Sequence, residues 1–188
     1  MSLRLARPSD SRAVAQLVLL AIQDIACQLT GETEENAILN RLERYYLTEG
    51  NRFSADRYRL FEGEDGAAAG MILCYDGASA QALYRPVLDE LRRRQGRDDL
   101  AMDDEADDDE FYIDALAVFP AYEGRGYAKA LLAEAEDWAR REGWRKISLN
   151  VDVDKAKAHA LYSKLGYTEV KQIRINGHLF RHMVKNLR

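Results

Sequence analysis

The chain has 188 residues, of which 47% are hydrophobic and 31% charged, and its formal net charge is −5. A chain of this length can bury a proper core without disulfides or metals. The acidic balance argues against general nucleic-acid affinity, and the apolar run over residues 13–22 is too short to span a bilayer. Two isolated cysteines, Cys27 and Cys74, predict no disulfide framework and favour a cytoplasmic location.

The N-terminal half alternates in the manner of a mixed α/β chain. The predicted elements are a strand over residues 3–5, a helix ending near residue 22, a helix over 34–47, and strands over 58–60 and 70–75. The last two strands predict a hairpin around the glycine-containing turn at residues 63–66.

A long insert, residues 76–110, separates the third and fourth strands, where a short hairpin loop would suffice. Its first part has apolar residues at helical spacing over residues 84–94. Its second part, residues 103–110, is acidic at seven of eight positions. Such a run is typical of a solvated, mobile loop. The alternative is a lid over a substrate site, with acids that favour a cationic substrate.

A strand over residues 111–119 ends at Pro120 and is followed by a turn containing Gly124 and Gly126. The turn opens an amphipathic helix, so several backbone N–H groups converge beside the positive end of a helix dipole. The turn is therefore suited to a phosphate. It lacks the Gly-Lys-Ser/Thr of a P-loop, and Lys129 stands where a dinucleotide fingerprint has its third glycine.

The C-terminal part predicts a strand over residues 146–151, a helix from about Lys155 closed by Gly166, and a last hairpin turned by Asn176-Gly177. The three histidines have no nearby cysteine or carboxylate cluster along the sequence, so no metal site is expected. For His182 a satisfied, partly buried side chain is favoured over a role in a substrate pocket.

Two sequence blocks resemble a known family. Residues 123–128 are similar to the acyl-coenzyme A motif Arg/Gln-x-x-Gly-x-Gly/Ala of the GNAT N-acetyltransferases, with Glu123 in place of the Arg or Gln. Residues 158–167 are similar to that family's Ala-x-x-Leu-Tyr-x-x-Leu-Gly-Phe/Tyr signature. The resemblance implies one domain over residues 1–188, interrupted by the insert. It also implies a mostly antiparallel twisted sheet of about seven strands, splayed between the fourth and fifth, with about four helices plus an insert helix.

The resemblance further implies an enzyme that transfers an acetyl group from acetyl-CoA to a primary amine by direct attack in a ternary complex. The acceptor would be a small molecule or a peptide or protein amine, and a homodimer is plausible by family habit. Two alternatives with the same fold stay open: a non-catalytic acyl-CoA-binding sensor, supported by Glu123 and Lys155, and a protein-interaction module that docks a basic partner through the acidic insert.

The expected donor contacts also follow from the resemblance. The backbone of Leu116, Ala117 and Val118 would pair with the pantetheine arm, and one of its N–H groups would point at the thioester oxygen. The remaining expected donor contacts are Glu123, Gly124, Arg125, Gly126, Tyr127, Ala128, Lys129, Asn150, Lys155, Ala158 and Tyr162. Lys155 stands where the family favours asparagine, so either it or Asn150 would take that role.

Two residues are candidates for proton transfer. Tyr162 would protonate the departing thiolate, although it could equally be a core residue on the apolar face of its helix. Asp114 is a carboxylate on a strand otherwise fit for burial, and is either the general base or a partner for a loop or an arginine. The two-residue period places Tyr112, Asp114, Leu116 and Val118 on one strand face, with Tyr112 and Glu110 as further candidate bases.

Overall fold

A computed structural model describes residues 2–64 and 66–188 of the chain. The turn predicted over residues 63–66 includes Asp65, which lies outside the described residues. The strands are β1 (Leu3–Leu5), β2 (Tyr58–Glu62), β3 (Ala68–Asp76), β4 (Phe111–Val118), β5 (Lys146–Asp152), β6 (Thr168–Ile175) and β7 (His178–Asn186). The α-helices are α1 (Ser11–Ile22), α2 (Ile25–Thr30), α3 (Glu35–Leu47), α4 (Ala80–Gln95), α5 (Tyr127–Arg141) and α6 (Ala156–Lys164).

All seven strands form one sheet in the order β1-β2-β3-β4-β5-β7-β6. Among the strand pairs of the described residues, β4 and β5 are parallel and the others are antiparallel. The expected mixed α/β fold with a mostly antiparallel sheet is confirmed. Among the α-helices of the described residues, the sequence did not predict α2, whose six residues are too few to leave a periodic pattern.

Helices cover both faces of the sheet, which is why β3 is buried at eight of its nine positions. On one face α1 and α3 pack through residues such as Leu17 and Leu42, and on the other α5 packs through Leu131 and Trp138. Within the described ranges, no helix combines the length and the apolar character needed to cross a lipid bilayer.

The last hairpin has the turn that the sequence predicts. Asn176 and Gly177 adopt φ angles of 49° and 83°. Two successive residues at positive φ are what a two-residue type I′ turn requires, and Asn-Gly favours that conformation most strongly. The hairpin places β7 beside β5 and β6 at the edge of the sheet. Its turn contacts the insert, because the Asn176 N–H donates to Asp103 Oδ2 at 2.7 Å.

The acidic part of the insert contacts the protein through several of its acids, while five of the seven acids are exposed, as expected of a solvated run. Asp107 and Asp109 form ion pairs with Lys171 and Lys146, at 2.6 and 2.5 Å. Two further acids of the run are buried and bonded to a cation or a histidine: Glu105 contacts Arg52, and Glu110 contacts His182. Basic groups elsewhere in the chain thus compensate the like charges, and the run forms a wall over one end of the sheet.

The main chain of the acidic segment passes close to Gly77, at the start of the insert. A Cβ added there would lie 2.0 Å from the carbonyl oxygen of Asp107. We expect Gly77→Ala to displace the acidic segment and to lower the free energy of unfolding by about 1–3 kcal/mol, measured by urea denaturation. The matched control is Ala78→Leu at the adjacent exposed position, which should stay within about 0.5 kcal/mol of wild type. Equal stability of Gly77→Ala and wild type would contradict the docked arrangement.

Candidate active site

The parallel strands β4 and β5 separate partway along their length. They pair at Phe111–Ile147, Tyr112–Ser148 and Ile113–Leu149, and pairing stops there although both strands continue. From Asp114 onward, β4 has β3 as its neighbour on one side and no strand on the side of β5. The splayed pair expected from the resemblance is confirmed, and it leaves a gap in the sheet that exposes main-chain groups.

A β-bulge occurs at the point where the strands separate. Across the β3–β4 pair, Leu73 lies opposite Ala115 and Cys74 opposite Ile113, so Asp114 is the extra residue. The predicted shared face of Tyr112, Asp114, Leu116 and Val118 is therefore wrong. Beyond the bulge, Ala115 and Ala117 pack on the side of α1 and α3, whereas Leu116 and Val118 pack on the side of α5.

The glycine turn that opens α5 presents unpaired backbone donors. Gly124 and Gly126 have φ angles of 74° and 84°, and a Cβ at either position would meet nothing within 4 Å. Within the described residues, five amides donate no hydrogen bond: those of Gly124, Arg125, Gly126, Ala128 and Lys129. Unsatisfied N–H groups beside the positive end of a 15-residue helix form an anion site that fits a diphosphate.

Aromatic side chains hold this turn against the sheet. Tyr127 is buried and stacks on Phe61, with ring centroids 4.0 Å apart, and it lies 6.0 Å from Tyr122. The Arg125 guanidinium lies 5.5 Å from the centre of the Tyr122 ring. Arg125 therefore remains at the turn while its side chain is exposed, as a phosphate contact requires. Glu123 and Lys129 are exposed as well.

Tyr162 lies on α6, on the side of the sheet covered by α5. It packs against the same apolar cluster as Ala158, Leu116 and Val118, so these four predicted residues lie on the same side of the sheet. Its ring makes an edge contact with Tyr167 at 6.0 Å, and within the described part of the chain its hydroxyl has no hydrogen-bond partner. Burial raises the pKa of Tyr162, which keeps the phenol protonated at neutral pH.

A cleft of about 190 Å³ opens on the other side of the gap. Of the residues predicted from the sequence, Tyr112, Asp114, Asn150 and Lys155 line it. Its remaining walls come from the α1–α2 junction, the insert and the β6–β7 hairpin. Gln23, at that junction, has φ 51° and ψ −122°, and a non-glycine residue in this conformation is strained in a way that is common beside ligand sites.

Arg52 is the centre of the polar wall of the cleft. Its Nη2 and Nε donate to the two Asp114 oxygens at 2.7 and 3.0 Å, and its Nη1 donates to Glu105 Oε1 at 3.1 Å. Tyr75 adds a hydroxyl donor to Asp114 at 3.0 Å. The arginine partner that the sequence left open for Asp114 is therefore present, and two carboxylates share one guanidinium. Burial raises the pKa of Glu105, and the neighbouring Asp114 charge acts in the same direction.

Removing Arg52 should be strongly destabilising. Arg52→Met keeps much of the side-chain volume but leaves the Asp114 and Glu105 carboxylates buried without their cation, so we expect a loss of about 3–5 kcal/mol in unfolding free energy at neutral pH. The loss should shrink as the pH falls and Glu105, whose pKa burial raises, takes up a proton. The control is Arg12→Met, which breaks a half-exposed ion pair with Glu43 and should cost less than about 1 kcal/mol. Similar losses of unfolding free energy in both variants, measured by denaturant titration, would contradict the claim that Arg52 is the shared cation of two buried carboxylates.

Asn150 links the cleft to a buried histidine. Its Nδ2 donates to the Glu105 carbonyl at 2.8 Å and to the Tyr112 hydroxyl at 3.0 Å. Its Oδ1 therefore faces His182 and accepts from Nδ1 at 2.8 Å. His182 is fully buried, and its Nε2 lies 3.0 Å from Glu110 Oε2. This is the satisfied histidine that the sequence favoured, and Glu110 serves it instead of lining the cleft.

Burial acts to raise the pKa of Glu110, but the hydrogen bond from His182 helps to bring that pKa below its usual value. With Asp107, these two side chains place possible metal-ligand atoms within 4.8 Å of one another, a grouping that the sequence did not reveal. Both ring nitrogens of His182 already have protein partners. Glu110 and His182 therefore orient Asn150 through a chain of hydrogen bonds.

Sequence reasoning missed Arg52 and Glu105. Arg52 follows α3 in a short segment without a motif, and it meets Asp114 across 62 positions of sequence. Glu105 is one acid among seven in its run, and nothing local distinguishes it from its exposed neighbours Asp104 and Asp108. The one usable signal was the isolated carboxylate of Asp114, which required a partner.

The known proteins that this chain resembles are acetyltransferases. A model of the acetyltransferase (GNAT) family matches residues 23–167. Over 60 residues the chain is 38% identical to the uncharacterized N-acetyltransferase YycN of Bacillus subtilis (strain 168), covering 32% of this chain and 38% of that protein. Over 62 residues it is 29% identical to an aminoglycoside N(6′)-acetyltransferase type 1 of Stenotrophomonas maltophilia, covering 33% and 40%. The chain thus spans about two fifths of the length of these curated relatives.

A solved crystal structure described as an acetyltransferase superposes on the whole chain, with full coverage of both chains, a TM-score of 0.81 and 27% sequence identity. The family match covers most of the chain and includes the glycine turn, the splayed strands and Tyr162. The chain belongs to the GNAT family of acetyltransferases.

Proposed function

We propose that this protein transfers an acetyl group from acetyl-CoA to a primary amine by direct attack in a ternary complex. The observation that carries the proposal is the set of unpaired amides at the turn before α5, placed at the end of the strand that separates from β5. A diphosphate held there directs the pantetheine arm of coenzyme A into the gap between the strands.

The donor contacts follow from this placement. The backbone of Leu116, Ala117 and Val118 borders the gap and pairs with the pantetheine amides, and one N–H of this segment stabilises the developing oxyanion. Glu123 places a negative charge beside the phosphates, where the family motif has Arg or Gln. Arg125 and Lys129 offset that charge as phosphate contacts. Ala158 borders the gap from α6, and Lys155 and Asn150 contact the donor from the side of the cleft.

Tyr162 is the proposed proton donor to the departing thiolate. Because burial raises its pKa, the phenol is protonated over the whole neutral range. No protein acceptor in the described ranges competes for its hydroxyl. Tyr162 borders the gap from the side of α5, whereas the cleft opens on the opposite side. The proton donor and the incoming amine thus approach the thioester from different faces.

The cleft suits an acceptor that arrives as an ammonium ion. Four carboxylates line it, against two residues with a permanent positive charge, Arg52 and Lys155. The carboxylates are Asp24, Glu105, Asp114 and Asp152. We propose for Asp114 an electrostatic role: it accepts three hydrogen bonds, holds Arg52 in place and contributes to the negative potential that attracts the amine.

Of the alternatives, the non-catalytic sensor keeps the support of Glu123 at the phosphate turn. The interaction module has little support, because the acids of the insert already bind basic groups of the same chain. The acceptor could be a small molecule or a peptide or protein amine. Free cysteines, Cys27 and Cys74, favour a reducing compartment such as the cytoplasm. A homodimer remains a family-based expectation.

Two measurements test the proposal. Acetyl-CoA should raise the melting temperature, since a ligand at about 100 times its Kd stabilises the folded state by about 2.7 kcal/mol. Release of free thiol from acetyl-CoA should then depend on an added amine, assayed with an aminoglycoside, a linear triamine, a lysine-containing peptide and a peptide with a free amino terminus. A thermal shift without amine-dependent thiol release would favour the sensor, and no shift at all would contradict donor binding.

A further inference from the structure

Arg52, Asp114 and Glu105 form a cluster, called here the Arg52 cluster, in which two carboxylates share one guanidinium. With both carboxylates ionised, the net charge of this cluster is negative. Asp114 and Glu105 are both buried, and the single guanidinium between them is bonded more closely to Asp114. Asp114 receives two guanidinium hydrogen bonds of 2.7 and 3.0 Å, whereas Glu105 receives them at 3.1 and 3.4 Å. An excess charge in a low-dielectric cleft favours the arrival of a cation or a proton.

Glu105 is held at the point where the two strands separate. Its Oε2 accepts from the Tyr112 hydroxyl of β4 at 2.8 Å, and its carbonyl accepts from Asn150 Nδ2 of β5 at 2.8 Å. The insert therefore bridges both sides of the gap through this one residue. The docked acidic segment, which a minimal domain would not need, places a carboxylate in the cleft beside the gap.

We propose that Glu105 binds the acceptor ammonium and receives its proton before attack on the thioester. This role rests on the proposed acetyltransferase function. An N–H bond of the ammonium breaks and an O–H bond forms on the Glu105 carboxylate. The nitrogen lone pair then forms the C–N bond, the C–S bond breaks, and the thiolate takes the Tyr162 proton. The surplus proton on the acylated nitrogen leaves to solvent, the Tyr162 oxygen regains a proton from solvent, and Glu105 releases its own to solvent.

Burial supports this role, because it raises the pKa of Glu105 and so makes the carboxylate a better proton acceptor than an ordinary glutamate. The other titratable groups around it come from every wall of the cluster and cleft. They are Arg52, Tyr75, Tyr84, Tyr112, Asp114, Asp24, Asp152, Lys155 and His178. Because only the ionised carboxylate can accept a proton, kcat/KM should rise with pH as Glu105 loses its proton. This acidic limb should lie above the usual pH range for a glutamate.

The test compares Glu105→Gln with Asp108→Asn. Asp108 is an exposed acid of the same run, so the control removes the same charge from the insert outside the cleft. We expect Glu105→Gln to lower kcat/KM about 100-fold or more and to lose the acidic limb of its pH profile, while Asp108→Asn keeps both. Glu105→Asp retains a carboxylate, so it should keep the limb with a reduced rate. The Kd for acetyl-CoA, measured by calorimetry, should be unchanged in all three variants.

The outcomes distinguish failure of the proposed acetyltransferase function from failure of the role of Glu105. Wild-type protein that binds acetyl-CoA but acetylates none of the four amines overturns the proposed function and this role together. An active wild type, with a Glu105→Gln variant that keeps its rate and its pH profile, overturns only the role of Glu105. Equal losses in Glu105→Gln and Asp108→Asn also overturn it, because the effect would then come from the net charge of the insert.

Discussion

Gly126→Val should weaken acetyl-CoA binding by roughly ten- to a hundredfold, equivalent to about 1.4–2.7 kcal/mol. Gly126 adopts φ 84° at the first turn of α5, a conformation that a β-branched residue takes only with strain. The added side chain would also fill the open space above the unpaired amides, where the diphosphate is expected to lie. Calorimetric titration with acetyl-CoA measures the change in Kd.

Gly143 provides a matched control just beyond the other end of the same helix. It has the same φ of 84°, and a Cβ there also meets nothing within 4 Å. The strain at positive φ should lower the unfolding free energy of both variants by about 1–3 kcal/mol. Gly143→Val should nevertheless keep the wild-type Kd for acetyl-CoA. If the two variants bind acetyl-CoA equally well, the turn before α5 is not the donor site.

Tyr162→Phe should lower kcat by about 100- to 10,000-fold, the range typical of general acid catalysis. The substitution removes only the hydroxyl, so the packing of the ring against the apolar cluster and its edge contact with Tyr167 remain. The Kd for acetyl-CoA should change little, since the lost interaction is made in the transition state. Steady-state kinetics with a saturating amine, together with a binding titration, separates the two quantities.

Tyr167→Phe makes the same chemical change on the neighbouring ring, whose centroid lies 6.0 Å from that of Tyr162. Tyr167 packs in the same cluster on the α5 side of the sheet. We expect this variant to keep kcat within about twofold of wild type, because no proton transfer is proposed for it. A kcat for Tyr162→Phe equal to that of Tyr167→Phe would return Tyr162 to a role in packing.

Local signals predicted most of the fold. The glycine turn, the Asn176-Gly177 hairpin and the alternation of β5 each depend on residues that are close in sequence. The bulge at Asp114 could not be predicted in this way. Residues 111–118 are apolar at nearly every position because both faces of β4 are covered, so no alternation was present to show the extra residue.

The polar half of the site escaped prediction because it depends on contacts between distant parts of the chain. Arg52 meets Asp114 and Glu105 across 62 and 53 positions of sequence. The ion pairs of the acidic run could not be predicted for the same reason: its partners Lys146 and Lys171 lie on strands 37 and 64 residues further along the chain. Like charges predict a mobile loop only where no opposite charges from elsewhere in the fold pack against them.

A crystal structure of the complex with acetyl-CoA would show whether the turn before α5 holds the diphosphate. The proposed donor site predicts diphosphate oxygens at about 2.7–3.2 Å from amides of residues 124–129. It also predicts the thioester in the gap between β4 and β5, with the Tyr162 hydroxyl on one side and Glu105 on the other. A coenzyme bound with its diphosphate away from this turn, or with its thioester outside the gap, would contradict it.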